Sequence, residues 1–482
     1  MEKLISKIGL EIHLELQTKT KLFCSCKNDP EETEPNKNIC EICTGQPGVL
    51  PVLNKQAVIY AFSLAKALKM KINYRSEFVR KNYFYPDLPK NYQISQYELP
   101  LGENGIFYLV RKNLEKKIRI KRIHLEEDTG KNLHFGNYSL VDFNRSGVPL
   151  IEIVTEPDFR SAEEVEVFAE ELILLIRHLG ISSANAEKGQ IRFEANISLA
   201  PGESLGVKVE IKNINKIRSL VEAVQYEIER QRELILKGKK IIQETRGYDE
   251  NKKITFSQRW KEEAKDYRYF PEPDLPPLII DEEIEKKILY AETPGEIKMR
   301  LKKEYNLDYK FSQILVSEKE RVYFFEETLS ELKKFLEDPE LSLKLLINFF
   351  INDFIGLLEK YNLKIKKENI TSHEFAHLLY LYSQKKISSK IVKEALELAV
   401  KGEMKVEEVI KEKEMISDIE ILNKIIEEVI KEFSQSVEDY LRGEEKALEF
   451  LIGQVMKKTK GRAEPNLTRQ IILEKINYDK QK

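Results

Sequence analysis

The chain opens with IGLEIHLEL, in which Ile8, Leu10, Ile12 and Leu14 fall on one side of a period-two pattern and Glu11, His13 and Glu15 on the other. That spacing predicts a half-buried strand with a flat acidic face. In HLEEDTGK the same alternation puts His124, Glu126 and Asp128 together and Glu127 on the opposite side. YSLVDF and VPLIEIV read as further strands, and Glu152 is flanked by Leu150, Ile151, Ile153 and Val154. A carboxylate in so apolar a run needs a metal, a basic side chain or a proton if it faces inward. On an edge strand it simply points to water. IRFEANISL (191–199) and VKVEIKNI (207–214) alternate like a strand pair joined by the turn APGESLG.

Helical spacing sets in elsewhere. One helix is expected from about Lys55 to Met70, and another after Ser161, where Ser161 and Glu164 make a capping box. Val165, Phe168, Leu172 and Leu175 form its apolar stripe and Gly180 stops it. A third is expected from about Ser219 to Leu236. RKNYFYPDLPKNYQISQYELP carries Arg80, Lys81, Tyr83, Phe84, Tyr85, Lys90 and Tyr92, and its prolines predict an irregular loop. Aromatics interleaved with cations suit base stacking and phosphate contact, and equally a packed loop. From about Thr293 to Glu403 the pattern is helical, and the 14-residue run LLINFFINDFIGLL reads as a buried bundle helix. The last segment is also helical and ends in GQVMKKTKGRAEPNL, where Lys457, Lys458, Lys460 and Arg462 cluster beside Gly461. That cluster is a candidate phosphate contact or a solvated helix end.

At 482 residues the chain is long enough for two to four domains. A net charge of −2 conceals local basic clusters and leaves a nucleic-acid partner open. No apolar run in the sequence approaches the roughly 20 residues of a membrane span, and MEKLISKIGLEIH lacks the apolar core of a signal peptide, so a cytoplasmic location is expected.

Candidate chemistry falls in two places. All four cysteines, Cys24, Cys26, Cys40 and Cys43, lie in one C-x-C-x13-C-x-x-C stretch. With no export signal this predicts a closed, structural Cys₄ zinc site rather than two disulfides, the alternative being unrelated buried thiols. Glu11, His13, Glu126 and Glu152 offer hard oxygen ligands with one nitrogen, a set suited to Mg²⁺ or Mn²⁺. Neither G-x-x-x-x-G-K-[ST] nor G-x-G-x-x-G occurs, and no serine-nucleophile motif is present.

Ten stretches carry a family resemblance: GLEIHLEL, GQPGVLPVLN, RKNYFYPDLPKNYQISQYELPLGENG, HLEEDTGK, LVDFNRSGVPLIEIVTEPDFRS, EIKNIN, IERQ, QETRGYDE, DYRYFPEPDLPPL and GQVMKKTKGRAEP. Over essentially its whole length the chain resembles the GatB family, the B subunits of glutamyl/aspartyl-tRNA amidotransferases. A paralogous archaeal family shares the first part but carries an insertion for which this chain has no room. The resemblance implies an α+β multidomain fold. A mixed α/β cradle domain with an antiparallel-rich sheet (1–292) would precede an all-α helical domain (293–407) and a small helical tail (408–482). It implies ATP- and Mg²⁺-dependent phosphorylation of the side-chain carboxylate of Glu-tRNA(Gln) or Asp-tRNA(Asn), then displacement by ammonia. The ammonia would come from an amidase (glutaminase) partner, held with a small third protein in a heterotrimer. By the same resemblance Glu11, His13, Glu126, Glu127 and Glu152 are catalytic, and Lys81, Lys90 and Glu127 line the ammonia path. Arg192, Asn196, Lys212, Asn213, Arg246 and Arg268 are candidates for nucleotide or acceptor-end contacts, and Lys457, Lys458, Lys460 and Arg462 for tRNA contacts in the tail. Phe193 and Glu194 depart from the family pattern, where Cys and Asp are expected, as does Trp260. Rival readings are a tRNA-binding scaffold without chemistry and a zinc hydrolase using His13.

Overall fold

The computed structural model describes residues 3–260, 267–413, 419–459 and 461–479. The alternation in the first strand decides the architecture: Ile8, Leu10, Ile12 and Leu14 are buried on one side, leaving the other side polar. In chain order the first part is β1 (Leu4–Glu15), α1 (Lys55–Ala67), β2 (Lys71–Ile72), β3 (Arg75–Ser76), β4 (Val79–Asn82), β5 (Tyr92–Ser95), β6 (Gly102–Arg111) and β7 (Leu114–Glu127). There follow β8 (Lys131–Phe135), β9 (Tyr138–Asp142), β10 (Pro149–Thr155), α2 (Ala162–Leu179), β11 (Ile191–Pro201), β12 (Val209–Ile214) and α3 (Ile217–Leu236). Then come β13 (Glu244–Asp249), β14 (Ile254–Trp260), β15 (Phe270–Pro271), β16 (Leu278–Ile279), α4 (Glu282–Glu285) and α5 (Pro294–Tyr305).

Nine of these strands form one sheet, ordered β14-β13-β12-β11-β1-β10-β7-β6-β2, with β1 at its centre. Its pairings are antiparallel except β12 with β13. The apolar side of the sheet shares one core with the inner faces of α1, α2 and α3. The small sheet β15-β4-β5 includes Lys81 on β4 and adjoins the cleft described below. The expected irregular loop therefore contains two four-residue strands, because its prolines fall outside them.

Ser161 caps α2 by accepting the Glu164 N–H, and Gly180 ends it at φ 66°. The capping box differs from expectation, since the Glu164 carboxylate takes the Arg160 N–H instead of that of Ser161. The first compact unit extends to Ser312, past the change of composition near 292. The reason is α5, which packs on β6 with Gly295 against the Tyr108 carbonyl; a Cβ there would lie within clash distance. Lys298 of α5 also reaches Glu171 of α2 at 2.5 Å.

The second compact unit, Gln313–Lys482, is helical. After α6 (Tyr309–Val316), which crosses the division, it contains α7 (Lys319–Phe335), α8 (Pro339–Phe349), a π-helical turn (Phe350–Ile355), α9 (Gly356–Lys360), α10 (Ser372–Ser383), α11 (Ser389–Lys401) and α12 (Val406–Lys413). The run Pro339–Lys360 is 22 residues of continuous helix, longer than its apolar segment suggests, and is long and apolar enough to cross a membrane by length and composition. Here its Phe350 and Phe354 fill a bundle core with Phe324 and Phe325 of α7 and Phe375 of α10, all of them buried. The chain ends in α13 (Ile419–Glu432), α14 (Ser434–Leu441), α15 (Glu445–Lys458) and α16 (Pro465–Asp479), which enclose an apolar cluster of their own. Helix α12 packs on α10 and α11, so the cut expected at 408 falls inside an element of the helical bundle.

Candidate active-site cleft and cysteine cluster

Strand register brings the polar side of the sheet together. His13 of β1 stands opposite Glu152 of β10, which stands opposite His124 of β7. On the other flank Glu11 stands opposite Glu194 and His13 opposite Arg192, both of β11. Residues directly opposite in antiparallel strands share a face. His13 Nε2 lies 3.5 Å from Glu126 Oε1 and 3.6 Å from Glu152 Oε2. His124 Nε2 lies 3.4 Å from Glu152 Oε2 and 3.8 Å from Glu126 Oε2, and Ser95 Oγ donates to Glu126 at 3.2 Å.

The four residues expected as one set fall into two groups. Candidate ligand atoms of His13, Glu126 and Glu152 lie within 4.8 Å of one another, and those of Glu11, Glu194 and Glu210 form a separate group of the same compactness. Glu11 joins the second group because its neighbours in register are Glu194 on one side and Val154, not Glu152, on the other. Asn196 donates to Glu11 at 2.9 Å, Lys212 to Glu194 at 2.7 Å, and Thr245 to Glu210 at 3.0 Å. The expected ligand set omits His124, Glu194 and Glu210. Alternation in VKVEIKNI, where Val209 and Ile211 are buried, is the signal that could have found Glu210.

Of these residues Glu11, His13, Glu126, Glu194 and Glu210 line a cleft of about 980 Å³, together with Lys81, Arg122, Arg145, Tyr267 and Tyr269. Its electrostatics are those of interlocked opposite charges. Burial alone would depress the His13 pKa, but the hydrogen bond to Glu152 and the charges of Glu126 and Glu152 raise it. The same balance lifts His124 to about 9. Burial opposes ionisation of Glu152, yet His124 and His13 hold it well below the carboxylate range. Glu126 is lowered similarly, by His124 and Lys81 against burial. Glu11 goes the other way, raised by burial and by Glu152 and Glu194. Lys81 stays firmly cationic because Glu126 and Glu152 outweigh its desolvation.

Other expected residues are placed as follows. Arg192 lines the cleft and pairs with Asp128 at 3.0 Å, which Arg145 also approaches at 3.5 Å. Arg246 is drawn away from the cleft into a network with Glu244, Thr255 and Glu227, the last on α3 across the sheet. Arg268 is exposed at φ 46° between the cleft-lining Tyr267 and Tyr269. Asn213 lies on β12, its side chain outside the described residues. In the second unit Lys458 pairs with Glu432 at 2.7 Å, Arg462 Nε donates to the Thr459 carbonyl, Lys457 is exposed, and Lys460 lies outside the described residues.

Glu127 follows Glu126 in β7 and so faces the opposite way. Its carboxylate accepts Lys90 Nζ at 2.5 and 2.6 Å and the Ile94 N–H at 2.9 Å. Lys90 and Glu127 line a separate cavity of about 110 Å³, whose wall includes Cys24 and Cys43, whereas Lys81 lines the large cleft. The four cysteines are free, and their Sγ atoms lie within 4.8 Å of one another, Cys40 and Cys43 4.0 Å apart. Thiolates at about 2.3 Å from a tetrahedral zinc ion stand about 3.8 Å apart, so the set fits such an ion. Cys43 is held at about 5, chiefly by the hydrogen bond from Cys24 and, against burial, by the Lys21 ammonium, while burial pushes Cys26 up to about 12.

Two family models match this chain: one described as the GatB/GatE catalytic domain over residues 6–286, the other as the GatB domain over residues 324–476. It is 45% identical over 97% of its length to the B subunit of the aspartyl/glutamyl-tRNA(Asn/Gln) amidotransferase of Persephonella marina, covering 98% of that protein. It is 44% identical to the proteins of that name from Carboxydothermus hydrogenoformans and Thermotoga maritima, over 97% and 96% of the chain and 98% and 97% of theirs. A register that gathers histidines and carboxylates on one sheet face, and identity sustained from end to end, place the chain in the GatB family, the B subunits of aspartyl/glutamyl-tRNA(Asn/Gln) amidotransferases.

Proposed function

We propose that the cleft phosphorylates the side-chain carboxylate of Glu-tRNA(Gln) or Asp-tRNA(Asn) with ATP and converts the product to an amide with ammonia. The observation that carries this reading is the grouping of His13 and Glu126 with Glu152, beside that of Glu11, Glu194 and Glu210, at a cleft of about 980 Å³ that all of them but Glu152 line. A carboxylate is a poor electrophile. Transfer of the γ-phosphoryl to its oxygen releases ADP and leaves an acyl phosphate. Ammonia then attacks the carbonyl carbon, the C–O bond breaks, phosphate departs, and the surplus proton leaves with it. Phosphoryl transfer of this kind needs positioning and charge compensation more than covalent chemistry.

His13, Glu126 and Glu152 would hold a magnesium ion, with Glu11, Glu194 and Glu210 as an adjoining carboxylate set. Magnesium there supplies Lewis-acid stabilisation of charge developing on the phosphoryl oxygens. Lys81, Arg192 and Lys212 are placed to meet phosphate or substrate carboxylate, since all three line the same cleft. Tyr267 and Tyr269 offer ring faces for a base of the acceptor end. Lys90 and Glu127 mark the ammonia path from a glutamine-hydrolysing amidase partner, with a small third protein completing a cytoplasmic heterotrimer. Zinc at Cys24, Cys26, Cys40 and Cys43 is structural. The C-terminal helices, with Lys457, Lys458, Lys460 and Arg462, contact the tRNA body.

The test replaces His13, Glu126 and Glu152 in turn by Ala in the assembled complex with precharged tRNA. ATP cleavage and amide formation are expected to fall together by about 100-fold or more, while tRNA binding and glutamine hydrolysis persist. The Mg²⁺ needed for half-maximal activity should rise. Normal ATP-dependent amidation by Glu152→Ala at low Mg²⁺ would overturn the metal assignment. Tight tRNA binding without any ATP cleavage by the wild type would favour the scaffold reading.

A further inference from the structure

One glycine joins the cysteine cluster to the Lys90–Glu127 ion pair. Cys40 and Cys43 lie in a knuckle closed by its own hydrogen bonds: Thr44 N–H and Oγ both donate to the Cys40 carbonyl, at 3.1 and 2.7 Å, and Gly45 N–H donates to that of Ile42 at 3.1 Å. Gly45 sits at φ +69°, and a Cβ there would lie 2.6 Å from Lys90 Cγ and 3.2 Å from Lys90 Cα. The knuckle backbone is thus packed against the root of Lys90, where movement is constrained, rather than against its free end. From that root the side chain runs to Glu127, itself fixed by the Ile94 N–H.

Lys21 ties the cluster down from another direction. It is fully buried, donating to the Phe143 carbonyl at 3.2 Å and reaching Cys43 Sγ at 3.7 Å. A buried ammonium calls for an anion beside it, and a metal-bound thiolate cluster supplies one.

We propose that the cysteine cluster is the positioning element of the Lys90–Glu127 pair. Metal binding fixes the knuckle, the knuckle fixes Gly45, and Gly45 fixes the orientation of Lys90. Metal occupancy thereby sets whether ammonia crossing this cavity reaches the activated carboxylate. This rests on reading Lys90 and Glu127 as the ammonia path.

The experiment uses the assembled complex with glutamine, ATP and precharged tRNA. Amide formed per glutamine hydrolysed is measured for Gly45→Ala, Lys90→Met and zinc-stripped wild type, with zinc content from elemental analysis. Gly45→Ala is expected to keep its zinc and its partner's glutamine hydrolysis, while amide per glutamine falls about tenfold, the scale of a misplaced group near a reacting centre. Added ammonium salt at alkaline pH should restore amide formation. The stripped wild type should behave alike, and zinc should recover it, which decides the matter even where Gly45→Ala fails to assemble. If Lys90→Met uncouples but the stripped enzyme stays coupled, the proposal is overturned and the path reading stands. If Lys90→Met stays coupled as well, the path reading fails and takes the proposal with it.

Discussion

Glu171 and Lys298 show how one buried pair can set a pH dependence far from the cleft. Burial pushes the Glu171 carboxyl up from 4.5 to about 7, only partly offset by Lys298 at 2.5 Å. Between those values the folded chain holds a proton that the unfolded chain has released, so stability falls as pH rises through that window. Its contribution is fully present below 4.5 and is lost above about 7, a difference on the order of 3 kcal/mol. Denaturant midpoints for the wild type should decline between those pH values, and Glu171→Gln should flatten the decline. A slope unchanged by Glu171→Gln assigns it to another group. At this scale the sequence was uneven in what it disclosed. The cysteine cluster was legible because all four cysteines lie within one short stretch, so local spacing sufficed. The partition of Glu11 away from Glu126 and Glu152 was not, since it depends on which strands flank β1.

Among the elements, the period-two strands were the most readable, because burial on one side imposes the alternation directly. Helix starts were readable from their caps, whereas strands β4 and β5 were hidden by the prolines beside them. The π-helical turn Phe350–Ile355 has no signature in the apolar run LLINFFINDFIGLL. Its position nonetheless matters, for Phe350 and Phe354 both point into the aromatic cluster with Phe324 and Phe375. Phe350→Ala should cost the helical unit about 3–5 kcal/mol through the cavity it leaves. Unfolding of the variant followed by calorimetry measures this, and a loss below about 1 kcal/mol would mean that neighbouring rings collapse into the space.

On the scale of the whole molecule, the helices α13 to α16 have an apolar core of their own, which makes their removal a clean perturbation. Truncation after residue 413 should weaken tRNA binding, lower its salt dependence, and leave the partner's glutamine hydrolysis intact. Each lost phosphate contact reduces the slope of log affinity against log salt by a little under one. Equal affinity and slope for the truncated and full complexes would move the tRNA contacts elsewhere. Composition marks a change near 292, while α5 is held to the first unit by Gly295 and Lys298, which no local pattern announces.

The adjacency of Glu126 and Glu127 has a genetic corollary. Strand β7 is a partition one peptide thick, with one carboxylate serving the cleft and its neighbour serving the cavity behind the sheet. Inserting a single residue upstream within β7 would turn each of them through the wall, setting Leu125 at the cleft position of Glu126 and Glu126 at the position that faces Lys90. Codon-sized insertions and deletions there should be tolerated far less than point changes, so the strand's length is under tighter constraint than any one of its side chains.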